Sequence, residues 1–584
     1  MKFLLTAVNA KYIHSNPAVF SLKGYAMAHL TEAEKEYCQI EIVEYTINQQ
    51  PEQIVAGLFK KQPDVIGFSC YIWNWSMIKS LLPELHKVCP NTKIWLGGPE
   101  VSFHGQKILE DFPYLSGIMI GEGEEAFLEL CRGYGNQLSE EELFQIPGLL
   151  TRNGYSAERP LTDLNKIPFF YHDLTDFENR IVYYESSRGC PYRCSYCLSS
   201  IDKKVRLRQM DLVKQELQFF LDKKVPQVKF IDRTFNCNKD HAMAIWSYLL
   251  EHDNGVTNFH FEISADILTR EELDLLGKMR PGLAQLEIGV QSTNPETIQA
   301  IARKMDVEKL RKVVEQIRNK ENIHVHLDLI VGLPYEDFPT FQNSFNEVYS
   351  MYPEQLQLGF LKVLKGSPIE AQAKEYGIAY KSEPNYEVLY TNWISYEEVL
   401  RLKAVEEMLE TFYNSNQFRH TIGMLEQYFP SPFVLYQSLA EYYEKKGYDL
   451  QSPARVKRYE ILRDFAVEHA HMEKEMAEEL LTYDMYLREN MKTRPELAKD
   501  LTPYKEIIRE IYQKEEETRN YLPEYADYNS KQLSKMTHME VFGYSVWQLR
   551  NCHKLEKEAY VLFEYQARNP LTKDSRVIWI DRME

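Results

Sequence analysis

The stretch SSRGCPYRCSYCLSS, residues 186–200, places Cys190, Cys194 and Cys197 within eight residues in the spacing C-x3-C-x2-C. It follows directly on the run IVYYESS (181–187), which reads as a strand, so the thiols fall on the loop at that strand's C-terminal end. Beyond it, QVKFID, NFHFEIS, LAQLEIGV, HVHLDLIVG and QLQLGFLKV read as further strands. MDLVKQELQFFLDKK, DHAMAIWSYLLEH and DVEKLRKVVEQIRNK read as helices between them. This alternation over 181–375 predicts a partial (β/α)6 barrel, a fold whose reactive groups gather at the C-terminal ends of its strands.

Upstream, residues 1–135 alternate in the same way, with KFLLTAV, IEIVEY, DVIGFSC, KIWLGG and GIMIGEG as strands and PEQIVAGLFKK and SMIKSLLPELHKV as helices. The pattern predicts a flavodoxin- or Rossmann-like parallel sheet covered on both faces. Residues 136–180 read as a linker with a small ribbon at RNGYSAERP. From 376 to 584 the chain predicts a mainly α region of long Glu-, Lys- and Tyr-rich helices, then two strands in YVLFEYQARNPLTKDSRVIWI. In MEKEMAEELL, Met472, Met476 and Leu480 recur at helical spacing and predict a core stripe. The class is α/β.

The chain has 584 residues, 44% apolar and 26% charged, enough for several ordinary cores. Its net charge of −18 repels phosphate backbones and anionic lipid, which excludes nucleic acid and membrane surfaces as first partners. The basic run DKKVRLRQ (202–209) reads as a solvated turn before a helix. MKFLLTAVNA imitates a signal peptide, but polar NAKYIHSN follows at once and the segment reads as a buried strand. With no stretch of membrane-spanning length, a cytoplasmic location is expected. The nine cysteines form one dense trio and six scattered residues, a pattern of reduced thiols and not of a disulfide framework.

Iron–sulfur clusters take Cys thiolates, and a cubane has four irons, so three close cysteines leave one iron without a protein ligand. An open coordination position marks a site of chemistry, because structural metal sites are closed. The rival is a zinc site completed by a distant residue, but structural zinc sites pair C-x2-C with a second pair or with histidines, and no second pair exists here. In the first region, Ser69 in VIGFSC, Gly97 and Gly98 in WLGGPE, and Gly121, Glu122 and Gly123 in MIGEGEEAF lie at strand ends. Small residues there let the backbone approach a large nucleotide-like ligand in the crevice outside the sheet.

The trio resembles the signature loop of the radical SAM enzymes, with Tyr196 at the aromatic position. That resemblance implies a [4Fe-4S] cluster whose fourth iron binds S-adenosylmethionine and cleaves it reductively to a 5'-deoxyadenosyl radical. HFEIS with Glu262, LEIGVQS with Gln291, AIARK with Arg303 on the next helix, and HLDLIVGLP with Asp328 resemble the anaerobic coproporphyrinogen oxidase branch. By that likeness Glu262 and Arg303 meet the methionyl amine and carboxylate, and Gln291 and Asp328 the ribose hydroxyls. Opposite charges suit a zwitterion and acceptors suit a diol. Taken singly, each residue reads better as a salt bridge or strand-end cap; it is their falling together at strand ends in this order that points to a ligand. Asp232 in FIDRTFN is a weaker candidate, and Cys237 reads as a packed thiol.

A glycine-rich sheet before such a barrel resembles the cobalamin-binding domain of class B radical SAM methyltransferases, over about residues 1–370. The D-x-H-x-x-G motif that supplies a lower histidine ligand is absent, and His14 reads as a surface or capping histidine. The tail resembles an uncharacterised extension found on some cobalamin radical enzymes. Together these imply methylation of an unactivated carbon of a small molecule or peptide, with flavodoxin or ferredoxin as electron donor. The alternatives are a cobalamin radical cyclase or mutase without methyl transfer, and a non-catalytic cobalamin sensor or carrier. Catalytic residues beyond the cluster and cofactors are not read from the sequence.

Overall fold

The computed structural model describes residues 1–202 and 204–580. The first sheet contains β1 (Lys2–Asn9), β2 (Gln39–Thr46), β3 (Val65–Ser69), β4 (Lys93–Gly97) and β5 (Gly117–Met119), all parallel. Then β6 (Leu149–Thr151) and β7 (Gly154–Tyr155) add on antiparallel, giving the order β2-β1-β3-β4-β5-β6-β7. The ribbon expected within 136–180 is therefore an edge of this sheet. β3 is buried along its whole length, as a strand sandwiched between helices must be. One apolar cluster around Phe3, Trp95 and Phe127 covers one face, and a second around Leu4, Ile78 and Leu82 covers the other.

The second sheet begins with β8 (Val182–Tyr184). A short ribbon of β9 (Ser187–Arg188) and β10 (Arg206–Leu207) then carries the thiol loop. The sheet continues with β11 (Gln227–Phe230), β12 (Asn258–Ile263), β13 (Ala284–Gln291), β14 (His324–Val331) and β15 (Gln355–Phe360). These six strands run parallel in sequence order, which is the partial (β/α)6 barrel. On β13, Leu286, Ile288 and Val290 are buried beneath the helices, while Gln285, Glu287, Gly289 and Gln291 share the other, half-buried face. The helix after β13 is shorter than expected: it spans Pro295–Ala300, so Arg303 sits in the turn beyond it and not on it.

The C-terminal region has a small hairpin, β16 (Ala379–Tyr380) with β17 (Val388–Tyr390), and helices that include Tyr396–Leu409, Pro432–Lys446, Arg455–Glu468 and Lys474–Arg488. Its antiparallel sheet has three strands, β18 (Thr537–Tyr544), β19 (Lys554–Glu564) and β20 (Arg576–Ile580), one more than the sequence suggests. The helices share one continuous core with the barrel: Phe433 meets Phe345 edge-on at 5.4 Å and the Tyr436 and Tyr349 hydroxyls are 3.1 Å apart. Met472 and Leu480 are buried and Met476 packs against that core, though Met472 precedes the helix. Among the described residues, no helix is long and apolar enough to cross a membrane.

Candidate active site at the domain interface

Gly189 opens the thiol loop at φ +99°, and a Cβ there would stand 2.5 Å from the Lys204 carbonyl, so only glycine fits. The Cys190 N–H donates to Asp202 O (3.1 Å), Ser195 N–H to Ile301 O (2.9 Å), and Ile369 N–H to Ser195 O (2.9 Å). Backbone from three parts of the chain thus holds the loop. Cys190 and Cys194 are buried and Cys197 is half-buried.

Beneath the loop, the fully buried Asp232 accepts from Ser186 N–H (2.9 Å), Ser186 Oγ (2.6 Å) and Ser187 Oγ (2.6 Å), while His241 Nε2 lies 3.0 Å from Ser186 Oγ. Burial pushes Asp232 up to about 6 against those donors. Its role here is to brace the strand that carries the loop. Cys237 is half-buried, its thiol pushed up to about 11 by burial and by Cys190 nearby.

Arg303 reaches the loop from below the barrel rim. Its Nη1 donates to Tyr196 Oη (3.1 Å) and lies 3.8 Å from Cys194 Sγ, its Nη2 donates to Gly289 O, and its buried Nε has no partner among the described residues. Gln291 adopts φ +73° at the end of β13, where the register with β14 shifts, and its buried Oε1 likewise has no partner among the described residues. Glu262 lies opposite Glu287, which lies opposite His326, and Asp328 lies opposite Gly289. The structure therefore joins Tyr196 and Arg303 to the thiols and aligns Glu262, Gln291 and Asp328 along one face. Burial, reinforced by Glu287, pushes Glu262 up to about 7.

The sequence reading missed the rest of that face. Glu287 accepts from Lys229 Nζ (3.1 Å) and pairs with His260 Nε2 (2.8 Å); burial alone would raise its carboxyl, but these partners hold it down to about 2. His326 Nε2 stands 3.0 Å from Asp328 Oδ1. The signal was present in HFEIS, LEIG and HVHLDL as polar residues at alternate positions, but alternation alone does not say whether the polar face meets bulk water or a barrel interior.

Between sheet and barrel lies a cavity of ≈960 Å³. Ser69, Gly97, Gly98, Gly121, Glu122 and Gly123 all line it from one side. Tyr183, Arg188 and Arg233 line it from the barrel, and Tyr155 and Leu161 from the connecting segment. Gly98 has φ +106°, and a Cβ would lie 2.5 Å from Cys70 O; Gly121 has φ +80° and nothing within 4 Å of a Cβ. Ser69 Oγ accepts from Asn16 Nδ2 (2.8 Å). Glu122 differs from the others because its carboxylate is engaged by Arg206 Nη1 (3.0 Å), by Arg188 Nη1 (3.3 Å) and by Thr162 N–H (2.7 Å).

The basic run at 202–209 is likewise not a solvated turn. Lys203 lies outside the described residues, Arg206 pairs with Glu122, and Arg208 forms a buried pair with Glu216. His14 donates to or accepts from Tyr183 Oη at 2.6 Å, and its backbone bridges Ile181, so it ties the sheet to the barrel. Burial holds its ring below the ordinary histidine value.

Sheet, barrel and thiol loop together define an α/β protein in which Gly189 and Leu198, on either side of the three thiols, line the cavity between sheet and barrel. Family comparison agrees: residues 4–131 match the B12 binding domain, 184–348 the radical SAM superfamily, and 374–563 a family described as "Protein of unknown function (DUF4080)". The chain thus carries, in this order, a segment matching a B12-binding domain, one matching the radical SAM superfamily and one matching DUF4080.

It is 28% identical over 352 residues to the cobalamin-dependent radical SAM methyltransferase TokK of Streptomyces tokunonensis, covering 54% of this chain and 50% of that one. The chain spans about half the length of the curated relatives it matches. Its fold is similar to that of the cobalamin-dependent S-adenosylmethionine radical enzyme OxsB with aqua-cobalamin and S-adenosylmethionine bound (TM-score 0.56, 15% identity, 89% of this chain and 76% of that one). It is also similar to that of TsrM from Kitasatospora setae with cobalamin and [4Fe-4S] cluster bound (TM-score 0.54, 16% identity, 66% and 78%).

The residues present fit the groups such domains bind. The three thiols share one loop that Arg303 reaches, the buried Arg303 Nε and Gln291 Oε1 have no partner among the described residues, and the cavity is lined by Gly121, where a Cβ would meet nothing within 4 Å.

Proposed function

We propose that the chain is a cobalamin-dependent radical SAM methyltransferase acting on an unactivated carbon of a small molecule or peptide. The observation that carries this reading is the three-thiol loop, contacted by Arg303 and flanked by Gly189 and Leu198, which line the ≈960 Å³ cavity between sheet and barrel. Residues 1–135 form the cobalamin unit, 136–180 the connection, 181–375 the radical SAM barrel and 376–584 the helical unit.

In this reading Cys190, Cys194 and Cys197 ligate the cluster as thiolates; burial raises the Cys194 thiol, and the Arg303 guanidinium opposes that rise. Arg303 also offers a buried donor to the methionyl carboxylate, and Tyr196 fixes the guanidinium plane from its other side. Glu262 accepts the methionyl ammonium, and Gln291 and Asp328 accept the ribose hydroxyls. Ser69, Gly97, Gly98, Gly121 and Gly123 admit a large flat ligand to the sheet ends, and Glu122 holds the turn that carries them. When bound, the cluster supplies an electron to the sulfonium and cobalamin carries the methyl group to be transferred. The polar face of Lys229, His260 and Glu287 contacts the substrate, while the packed C-terminal helices exclude water from the barrel wall. A small cytoplasmic electron carrier such as flavodoxin or ferredoxin reduces the cluster.

The test is anaerobic purification, reconstitution with iron, sulfide and cobalamin, and a screen of small molecules and peptides with methyl-labelled S-adenosylmethionine. Release of both deoxyadenosine and S-adenosylhomocysteine with label in the product supports the reading. Deoxyadenosine without label transfer replaces it by a radical rearrangement, and no cleavage of S-adenosylmethionine overturns it.

A further inference from the structure

We propose that Arg188 and Arg206 are positioning residues that hold the thiol loop in register with the glycine-rich crevice of the N-terminal sheet. The proposal rests on the reading of those two places as cluster and cobalamin sites. The ribbon that brackets the loop is only two residue pairs long, and an isolated two-stranded ribbon of that length has little stability of its own.

Its register also sets Arg206 directly opposite Arg188. Like charges facing each other across an antiparallel pair are destabilising, so this ribbon needs anions to form. It receives them from the turn after β5. Glu122 stands between the two arginines, 2.5 Å from Arg206 Nη2 and 3.3 Å from Arg188 Nη1. The buried Glu124 accepts from Arg188 Nη2 (3.0 Å) and from Ser21 Oγ (2.9 Å). Glu185 offers both its oxygens to Arg188 (3.0 and 2.7 Å), and Asp202 one to Arg206 (3.0 Å).

A third segment joins the knot, since Arg206 Nη1 donates to Thr162 O (2.7 Å) while Thr162 N–H donates to Glu122. Arg188 is followed at once by Gly189 and Cys190, and Glu122 lies between Gly121 and Gly123 on the cavity wall. The same carboxylate therefore fixes one wall of the cavity and the base of the thiol loop. Displacing either end moves the other, and a ligand that seats the crevice also seats the loop.

The experiment uses the full chain with Arg206→Gln and Arg206→Lys. In hydrogen exchange on the protein as isolated, Arg206→Gln should speed exchange of amides in 186–207 by about tenfold or more, with β1–β5 and β11–β15 keeping their protection. In the reconstituted protein, the magnetic broadening that the reduced cluster imposes on the EPR signal of cob(II)alamin should be uniform in the unaltered chain and spread in Arg206→Gln. Arg206→Lys, which keeps the charge and loses the fork, should fall nearer the unaltered chain.

An ion pair that serves stability alone would lower the unfolding midpoint and leave both readouts as they were, which overturns the proposal. If Arg206→Gln does not fold, Glu122→Gln must give the same local gain in exchange, and its failure to do so also overturns it. If the unaltered chain takes up no cobalamin, the cavity assignment falls, and the exchange measurement still decides whether the crevice holds the loop.

Discussion

The pH dependence of S-adenosylmethionine binding tests the assignment of Glu262. Burial, with Glu287 as a second cause, pushes this carboxyl up to about 7, well above its ordinary range. An ammonium is held by the carboxylate and not by the neutral acid, so affinity should rise with pH through 7 as Glu262 ionises. Above that, the ligand's own α-amino group, with an ordinary pKa of about 8, loses its proton and affinity declines again. Multiplying the two charged fractions, affinity should fall about sixfold from pH 7.5 to pH 6, or about 1 kcal/mol. Glu262→Gln should remove the acid limb and weaken binding at pH 7.5 by about tenfold or more, the value of one charge-assisted hydrogen bond. Anaerobic equilibrium dialysis with labelled S-adenosylmethionine reads both. Equal affinity at pH 6 and pH 7.5, or a Glu262→Gln chain that binds as tightly as the unaltered one, would show that Glu262 does not hold the methionyl ammonium.

Substitutions at the sheet end and at a buried ion pair have effects set by the geometry. Gly98→Ala forces a Cβ to within 2.5 Å of Cys70 O at φ +106° and should destabilise the chain by about 1–3 kcal/mol in urea unfolding, whereas Gly121→Ala, whose Cβ meets nothing, should cost about 1 kcal/mol yet weaken cobalamin uptake. Arg208→Met leaves Glu216, which is 6% exposed, without its guanidinium and should cost about 3–5 kcal/mol, while Arg208→Met with Glu216→Leu should recover most of that loss.

The parallel strands were legible because burial on both faces leaves them almost wholly apolar, as in VIGFS, and because barrel strands such as AQLEIGVQ alternate cleanly. The thiol loop was legible from spacing alone. Three things were not. Arg303 follows a helix that ends after Ala300, and nothing in AIARK marks a stop before the arginine. β18 was overlooked because THMEVFGY mixes polar and apolar residues and acquires strand character only by pairing with β19. The engagement of Glu122 by Arg206 joins residues 84 apart, and no local pattern encodes a contact of that separation. In the sequence Glu122 reads as part of a glycine-rich turn and Arg206 as part of a basic run, and only the fold makes them one feature.

On the proposed reading, the loop of Cys190, Cys194 and Cys197 would hold a cluster with one iron left for the amino acid part of S-adenosylmethionine. Mössbauer spectroscopy of the anaerobic, iron-57-reconstituted protein addresses it directly. One iron in four should change its isomer shift when S-adenosylmethionine is added, and Cys194→Ala should abolish the cluster. Four irons indifferent to the addition, or zinc in place of iron, would rule out a cluster with an open iron on this loop.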